Sequence, residues 1–129
     1  MSNIPADLMY TKEDEWIRKE GNEITLGITD FAQDSLSDIV YLELPSEGDE
    51  IATGDTFGVV ESVKAAADLY APVSGTITAV NDDLADAPET INTDPYGEAW
   101  IIKINLSNAS ELDGLMDAAA YGKYCDERA

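Results

Sequence analysis

The chain has 129 residues, 27 acidic and 7 basic, with no histidine, one cysteine and a formal charge of −20 at neutral pH. That charge repels nucleic-acid phosphates and anionic lipid, and the missing histidine excludes Ser-His-Asp and Cys-His catalysis and most transition-metal sites. Cys125 stands alone, which excludes an intrachain disulfide and a CxxC redox centre. With 44% hydrophobic residues, the chain is long enough for one domain, 1–129, with a real core. No apolar run approaches the roughly 18 residues of a membrane span. The start, Met1 to Asp7, has neither the regions of a signal peptide nor an Arg-rich presequence, so a cytoplasmic protein is expected. The acidity fits a monomer, partners with positive surfaces, or a host adapted to salt. With so little reactive chemistry of its own, the chain is not expected to be an enzyme.

In chain order, Leu8 to Arg18 lead into the turn Glu20-Gly21-Asn22, and Ile24 to Ile28 reads as a strand. Asp30 and Gln33 form a capping pair, with Asp30 as N-cap of one or two helical turns ending near Ser37. Asp38 to Leu44 alternates, and Glu43 must point outward, so Val40, Leu42 and Leu44 are assigned to the core. A loop at Pro45–Asp49 and a turn at Gly54-Asp55 bracket a short run at Glu50–Ala52.

Phe57 to Val63 and Leu69 to Ile77 are β-type runs on either side of Lys64, with three alanines as the tight connection. Gly75 to Asn81 continues as a strand, and the acidic stretch Asn81–Glu89 reads as a solvated irregular segment. Its aspartates lack the ligand spacing of a calcium loop. After the turn Asp94–Gly97 comes a last strand, Trp100 to Ile104. Ser110 is expected to cap a short helix through Met116 and Asp117 a second through Tyr124, with Leu112, Leu115 and Met116 inward. Trp16, Tyr96, Trp100 and Tyr121 read as core or turn packing, and Cys125 as a half-buried structural thiol. The pattern is mainly β, a compact barrel or sandwich with short helices and a helical tail.

Lys64 is the only basic residue between Glu20 and Ile102. At a strand junction flanked by small residues, its amine projects into solvent where another protein can modify it. A modifiable lysine on a small β domain without catalytic groups has the logic of a swinging-arm carrier, in which a cofactor supplies the reactive atoms. Biotin carriers place Met on both sides of the lysine, and lipoyl domains of the 2-oxo acid dehydrogenases place Asp before it. Here Val63 and Ala65 stand there, and Glu61-Ser62-Val63-Lys64-Ala65 resembles the H protein of the glycine cleavage system.

The resemblance runs along nearly the whole chain. It includes Tyr10–Glu13, Glu15-Trp16, Gly27–Gln33, Asp38–Val40, Glu43–Pro45, Ala71–Gly75, Asn92, Asp94–Gly97 and Trp100 with Ile102–Ile104. It implies a barrel-sandwich hybrid fold of the biotinyl/lipoyl-carrier type. It also implies lipoate in amide linkage on Lys64, with Glu61, Ser62, Val63 and Ala65 recognised during attachment. The implied partners are the PLP-dependent glycine decarboxylase (P protein), the tetrahydrofolate-dependent aminomethyltransferase (T protein), the dihydrolipoyl dehydrogenase (L protein) and a lipoate-attaching enzyme. Glu15 and Asp68 stand where the resemblance implies carboxylates that pair with the aminomethyl-loaded arm. One departure is Asp14, where the family usually has histidine. A second reading keeps the lipoyl-lysine but makes the protein an H-like donor, relay or regulatory protein that does not support glycine decarboxylation.

Overall fold

The turn at Gly21-Asn22 folds β2 (Glu15–Glu20) antiparallel onto β3 (Glu23–Ile28). Gly21 lies at φ +63°, where a residue without a Cβ is least strained. The computed structural model describes residues 3–128. Its larger sheet has six strands, also including β1 (Met9–Tyr10), β5 (Glu50–Ile51), β8 (Gly75–Val80) and β9 (Ile102–Leu106), in the order β1-β2-β3-β9-β8-β5. The smaller sheet has the order β4-β6-β7, with β4 at Ile39–Glu43, β6 at Thr56–Ser62 and β7 at Ala66–Tyr70. All pairings are antiparallel.

The two sheets share one apolar core. Ile24, Leu26 and Ile28 from β3 and Ile102 and Ile104 from β9 meet Ile39, Leu42, Val60 and Leu69 from the smaller sheet. Burying such side chains is the main favourable term, at about 1.5–3 kcal/mol each. The other face of β3 is covered too. Gly27 lies against the Trp16 ring, and a Cβ there would come within 2.8 Å of it. Trp16, Leu8, Tyr10, Tyr121 and Cys125 form a second buried cluster under α4 (Ala118–Arg128). Tyr10 and Tyr121 stack with centroids 4.7 Å apart. The sequence placed Trp16 and Tyr121 in packing roles, and both are fully buried. Tyr96 and Trp100 pack half-buried against this cluster.

Several sequence expectations need correction. Val40 does not face the core: it is 54% exposed, whereas Ile39 and Leu42 are buried. A register shift between Ile39 and Tyr41 against β6 inserts one extra residue, and such a bulge breaks period-two alternation. The alanines are not the connection either, because Ala66 and Ala67 already belong to β7. The N-cap of α1 (Asp30–Leu36) is Thr29, whose Oγ1 accepts the Ala32 N–H at 3.2 Å. Asp30 instead accepts from the Gln33 side chain at 2.7 Å.

The acidic stretch contains a short helix, α2 (Asp82–Asp86), and α3 (Thr90–Thr93) follows. The last strand starts at Ile102, two residues later than its apolar pattern suggests. Asn108, not Ser110, caps the next segment, which is a 3₁₀ turn over Ala109–Gly114. Leu112 is buried there, while Leu115 and Met116 are half-buried. Asp117 does cap α4, accepting the Ala120 N–H at 2.8 Å, and the helix continues to Arg128. No helix among the described residues is long and apolar enough to cross a membrane.

Candidate functional site

Lys64 sits in the tight turn that joins β6 to β7. The Ser62 N–H donates to the Ala65 carbonyl at 2.8 Å, leaving Val63 and Lys64 as the two central residues. Neither has positive φ. The primed turns that suit two-residue hairpins require positive φ at the first central position, which a β-branched valine resists. The Ser62 side chain holds the alternative in place. Its Oγ accepts the backbone N–H of Lys64 at 3.2 Å and of Ala65 at 3.0 Å, and its hydroxyl contacts the Ala65 carbonyl. The Val63 N–H donates to the Asp38 carbonyl at 3.0 Å, tying the turn to the start of β4. Val63, Lys64, Ala65 and Glu61 are all exposed. Lys64 Nζ donates to the Ser35 carbonyl at 3.3 Å, in the last turn of α1, where exposed carbonyls favour a cation.

Glu15 lies at the opposite end of β7 and is 1% exposed. Its Oε2 accepts the Tyr70 N–H at 3.1 Å, and its Oε1 is buried with no hydrogen-bond partner. Burial pushes its carboxyl well above the ordinary range. The Tyr70 N–H opposes that shift, while the charges of Glu13 and Asp14 add to it. Beside Glu15 opens a cavity of about 320 Å³, lined among others by Tyr10, Thr11, Tyr70, Pro72 and Met116. Thr53, one of its lining residues, is held by Glu111, which accepts the Ser74 N–H at 2.8 Å and the hydroxyls of Ser74 and Thr53 at 3.0 and 2.7 Å. Those hydrogen bonds, from Thr53 first, pull the Glu111 carboxyl below its ordinary value.

Asp68 does not line this cavity. It is exposed on β7, between the Lys64 turn and Tyr70. The structure thus places the Lys64 turn and Glu15 at the two ends of β7, with Asp68 on the strand between them and only Glu15 buried. Among the described residues, no group of three or more His, Cys, Asp and Glu is arranged to hold a metal ion.

A lysine on an exposed turn and a buried carboxyl with a free acceptor lone pair suit a covalent arm that carries a cationic group. Comparison with known proteins points the same way. The family model for the glycine cleavage H-protein matches residues 8–128. The chain belongs to this family. It is similar to the glycine cleavage system H protein of Symbiobacterium thermophilum, with 58% identity over 127 residues covering 98% of this chain and 99% of that one. It is 56% identical to that of Carboxydothermus hydrogenoformans over 98% of both chains. A crystal structure of a glycine cleavage system H protein from Mycobacterium marinum superposes with a TM-score of 0.86 at 37% identity, covering 94% of this chain and 98% of that one. Membership in the glycine cleavage H-protein family makes the chain a lipoyl-carrier shuttle of glycine cleavage, and the reading as an H-like relay outside that system is not favoured.

The departure of this H-protein at Asp14 has a structural counterpart. Asp14 adopts φ +66°, a region that aspartate tolerates better than most residues. Its backbone carbonyl accepts the Thr29 N–H at 3.0 Å. Its carboxylate receives the Tyr121 hydroxyl at 2.9 Å and both terminal nitrogens of Arg128. Tyr121 is hydrogen-bonded in turn to the Thr29 hydroxyl at 2.7 Å. The Arg128 guanidinium lies 3.9 Å from the Tyr124 ring centroid and 4.6 Å from that of Phe31. The last turn of α4 is thereby fastened to Asp14, the residue just before Glu15 and β2. Sequence reading missed this link, although an isolated arginine at the end of a helical tail was its available signal.

Proposed function

We propose that Lys64 carries lipoate in amide linkage, and that Glu15 receives the amine borne by the loaded arm. The observation that supports this reading best is the orphaned Glu15 oxygen, held in a cavity one short strand away from an exposed lysine. Ala66 and Tyr70 are four residues apart on β7, about 13 Å at strand rise, a span within the reach of an extended lipoyl-lysine. When bound, the lipoyl group supplies a disulfide that takes an aminomethyl unit from glycine, passes it to tetrahydrofolate with release of ammonia, and is regenerated from the dithiol by oxidation.

The chain's own residues hold, orient and shield. Amide formation removes the charge of Lys64, and Ser62 keeps the turn in shape around the attachment point. Glu15, its carboxyl pushed up by burial, has an unpartnered oxygen available to a cationic amine. Such a neighbour draws the carboxyl back into its charged form, so Glu15 discriminates the loaded arm from the neutral one. Asp68, exposed on β7 between the Lys64 turn and Tyr70, supplies a second and more solvated negative charge. No residue acts as a catalyst. The decarboxylase, the aminomethyltransferase and the dihydrolipoyl dehydrogenase are the partners that meet the arm, in the cytoplasm, with the protein a monomer.

Two measurements test this. The intact mass after treatment with a lipoate ligase, lipoate and ATP gains one lipoyl group on Lys64, and Lys64→Arg gains none. Glu15→Gln and Asp68→Asn, once lipoylated and loaded, release the aminomethyl group to water faster than the parent protein, followed by mass over time. Unchanged release would remove both carboxylates from the reading, and an unmodified Lys64 would remove the arm itself.

A further inference from the structure

Three large apolar side chains stand exposed among the described residues, and all three border the Lys64 turn. Val63, 69% exposed, is the residue before the lysine; Val40 and Tyr41, 54% and 48% exposed, lie on the adjoining strand β4. Single exposed hydrophobics are common, but three grouped beside one side chain are informative. The grouping is built in. The Val63 N–H bonds to the Asp38 carbonyl, and Ile39 pairs with Ser62, which brings the start of β4 against the turn. The bulge after Ile39 then leaves Val40 in solvent, the kind of re-aiming that bulges provide beside functional positions.

Register extends the surface. Tyr41 pairs with Glu61 and Glu61 with Ala66, while Glu43 pairs with Val59 and Val59 with Asp68. The outer face of the small sheet therefore presents an apolar centre bordered by the exposed carboxylates of Asp38, Glu43, Glu61 and Asp68.

We propose that Val40, Tyr41 and Val63, with these carboxylates, form the docking surface for the enzyme that acylates Lys64. The inference rests on the proposed lipoylation. Its occupant is a protein face with an apolar strip and a rim of lysine and arginine, complementary to this patch in both respects. The position of the reacting atom selects that enzyme among the partners. In attachment the nucleophile is Nζ itself, so the acylating site must close over the turn, whereas enzymes that work on the dithiol meet the far end of the arm. Nζ leaves the Ser35 carbonyl, loses a proton and attacks the acyl carbon of a lipoyl-adenylate. A carbon–nitrogen amide bond forms, the acyl–phosphate bond breaks with its electron pair leaving on AMP, and a second proton is lost from the nitrogen.

The test is steady-state lipoylation of the unmodified full chain by a lipoate ligase with lipoate and ATP, read by intact mass. Val40→Ser combined with Tyr41→Ser raises KM for the carrier about tenfold with kcat retained, as expected when an apolar contact outside the chemistry is removed. Added salt raises the KM of the parent protein by screening the carboxylate rim. If the parent protein is acylated but the double variant keeps its KM, the surface is overturned and the lipoyl reading stands. If the parent protein is not acylated at all, both fall. A dimer seen by sedimentation, lost in the variant while KM is unchanged, assigns the patch to a second copy of this chain and also overturns the proposal. Should the double variant unfold, Val40→Ser alone, at the solvent-facing bulge, gives the same reading.

Discussion

The turn at Lys64 and the start of β2 at Glu15 lie at the two ends of β7, and they are held by different means. The Ser62 bonds that shape the turn reach only two or three residues along the chain. Around Glu15 the bonds cross 55 residues to Tyr70, and those of its neighbour Asp14 cross 107 to Tyr121 and 114 to Arg128. A mount for a mobile arm needs an accessible amine and a local frame, which these short-range bonds supply together with the one tie from Val63 to Asp38. A receptor for a charged group needs a dry carboxyl at a fixed place, which takes contributions from both ends of the chain. Substitutions near Glu15 should therefore move stability and function together, whereas those at the turn should move function alone.

The largest break in that contrast is Trp16→Ala. Trp16 is fully buried, donates its indole N–H to the Pro95 carbonyl at 2.8 Å and is matched by the bare Cα of Gly27. Its removal should cost about 3–5 kcal/mol in urea unfolding. The cluster it belongs to carries α4 and Tyr10, so cavity function should fall with it. A smaller step is Arg128→Ala, which removes two hydrogen bonds to Asp14 and two aromatic contacts. We expect about 1–2 kcal/mol, and faster hydrolysis of the loaded arm, with lipoylation of Lys64 unaffected. Arg128→Lys should recover only part, because an ammonium cannot make the paired contact.

The turn was more legible in the sequence than the cavity was. Lys64 is conspicuous because it is alone, and its neighbours are small, so its exposure could be read locally. Glu15 is one acid among 27 in an acidic chain, and its surroundings are built from Tyr70, Pro72 and the 114–116 segment, all distant in the chain. No local pattern carries that information. Val40 was misplaced for a related reason, since a bulge depends on how β4 registers with β6 and leaves no trace in an alternating run. Asp117 was readable because its cap concerns only the next three residues.

Glu15→Gln sharpens the contrast through pH. A carboxyl whose folded-state pKa is raised stabilises the fold fully below its unfolded value, near 4.5, and that contribution is lost as pH rises through the folded value. The parent protein should lose stability over this window, and Glu15→Gln, which keeps an acceptor for the Tyr70 N–H, should not. The melting temperature of the variant should therefore gain on the parent's as pH rises above about 4.5. Glu111 has the opposite sign, its contribution fading as pH falls through its lowered value, but it is common to both proteins and cancels in the difference. Parallel melting curves across the range would mean that Glu15 is charged and satisfied in the free protein, and not a waiting receptor.

Ser62→Ala should have the smallest effect on stability and is the sharpest test of the local end. The hydroxyl serves only the turn, in a half-buried position, so its loss should cost under about 1 kcal/mol. The backbone bond from Ser62 to Ala65 and the tie from Val63 to Asp38 both survive the change. What is lost is the pair of N–H bonds that fix Lys64 and Ala65, and hence the direction in which the amine is presented. Lipoylation efficiency should then fall about three- to tenfold, with the melting temperature nearly unmoved and Ser62→Thr restoring much of the rate. If Ser62→Ala instead lowered stability without changing the rate, the frame of the turn would belong to the fold and not to the arm, and the division between the two ends of β7 would not hold.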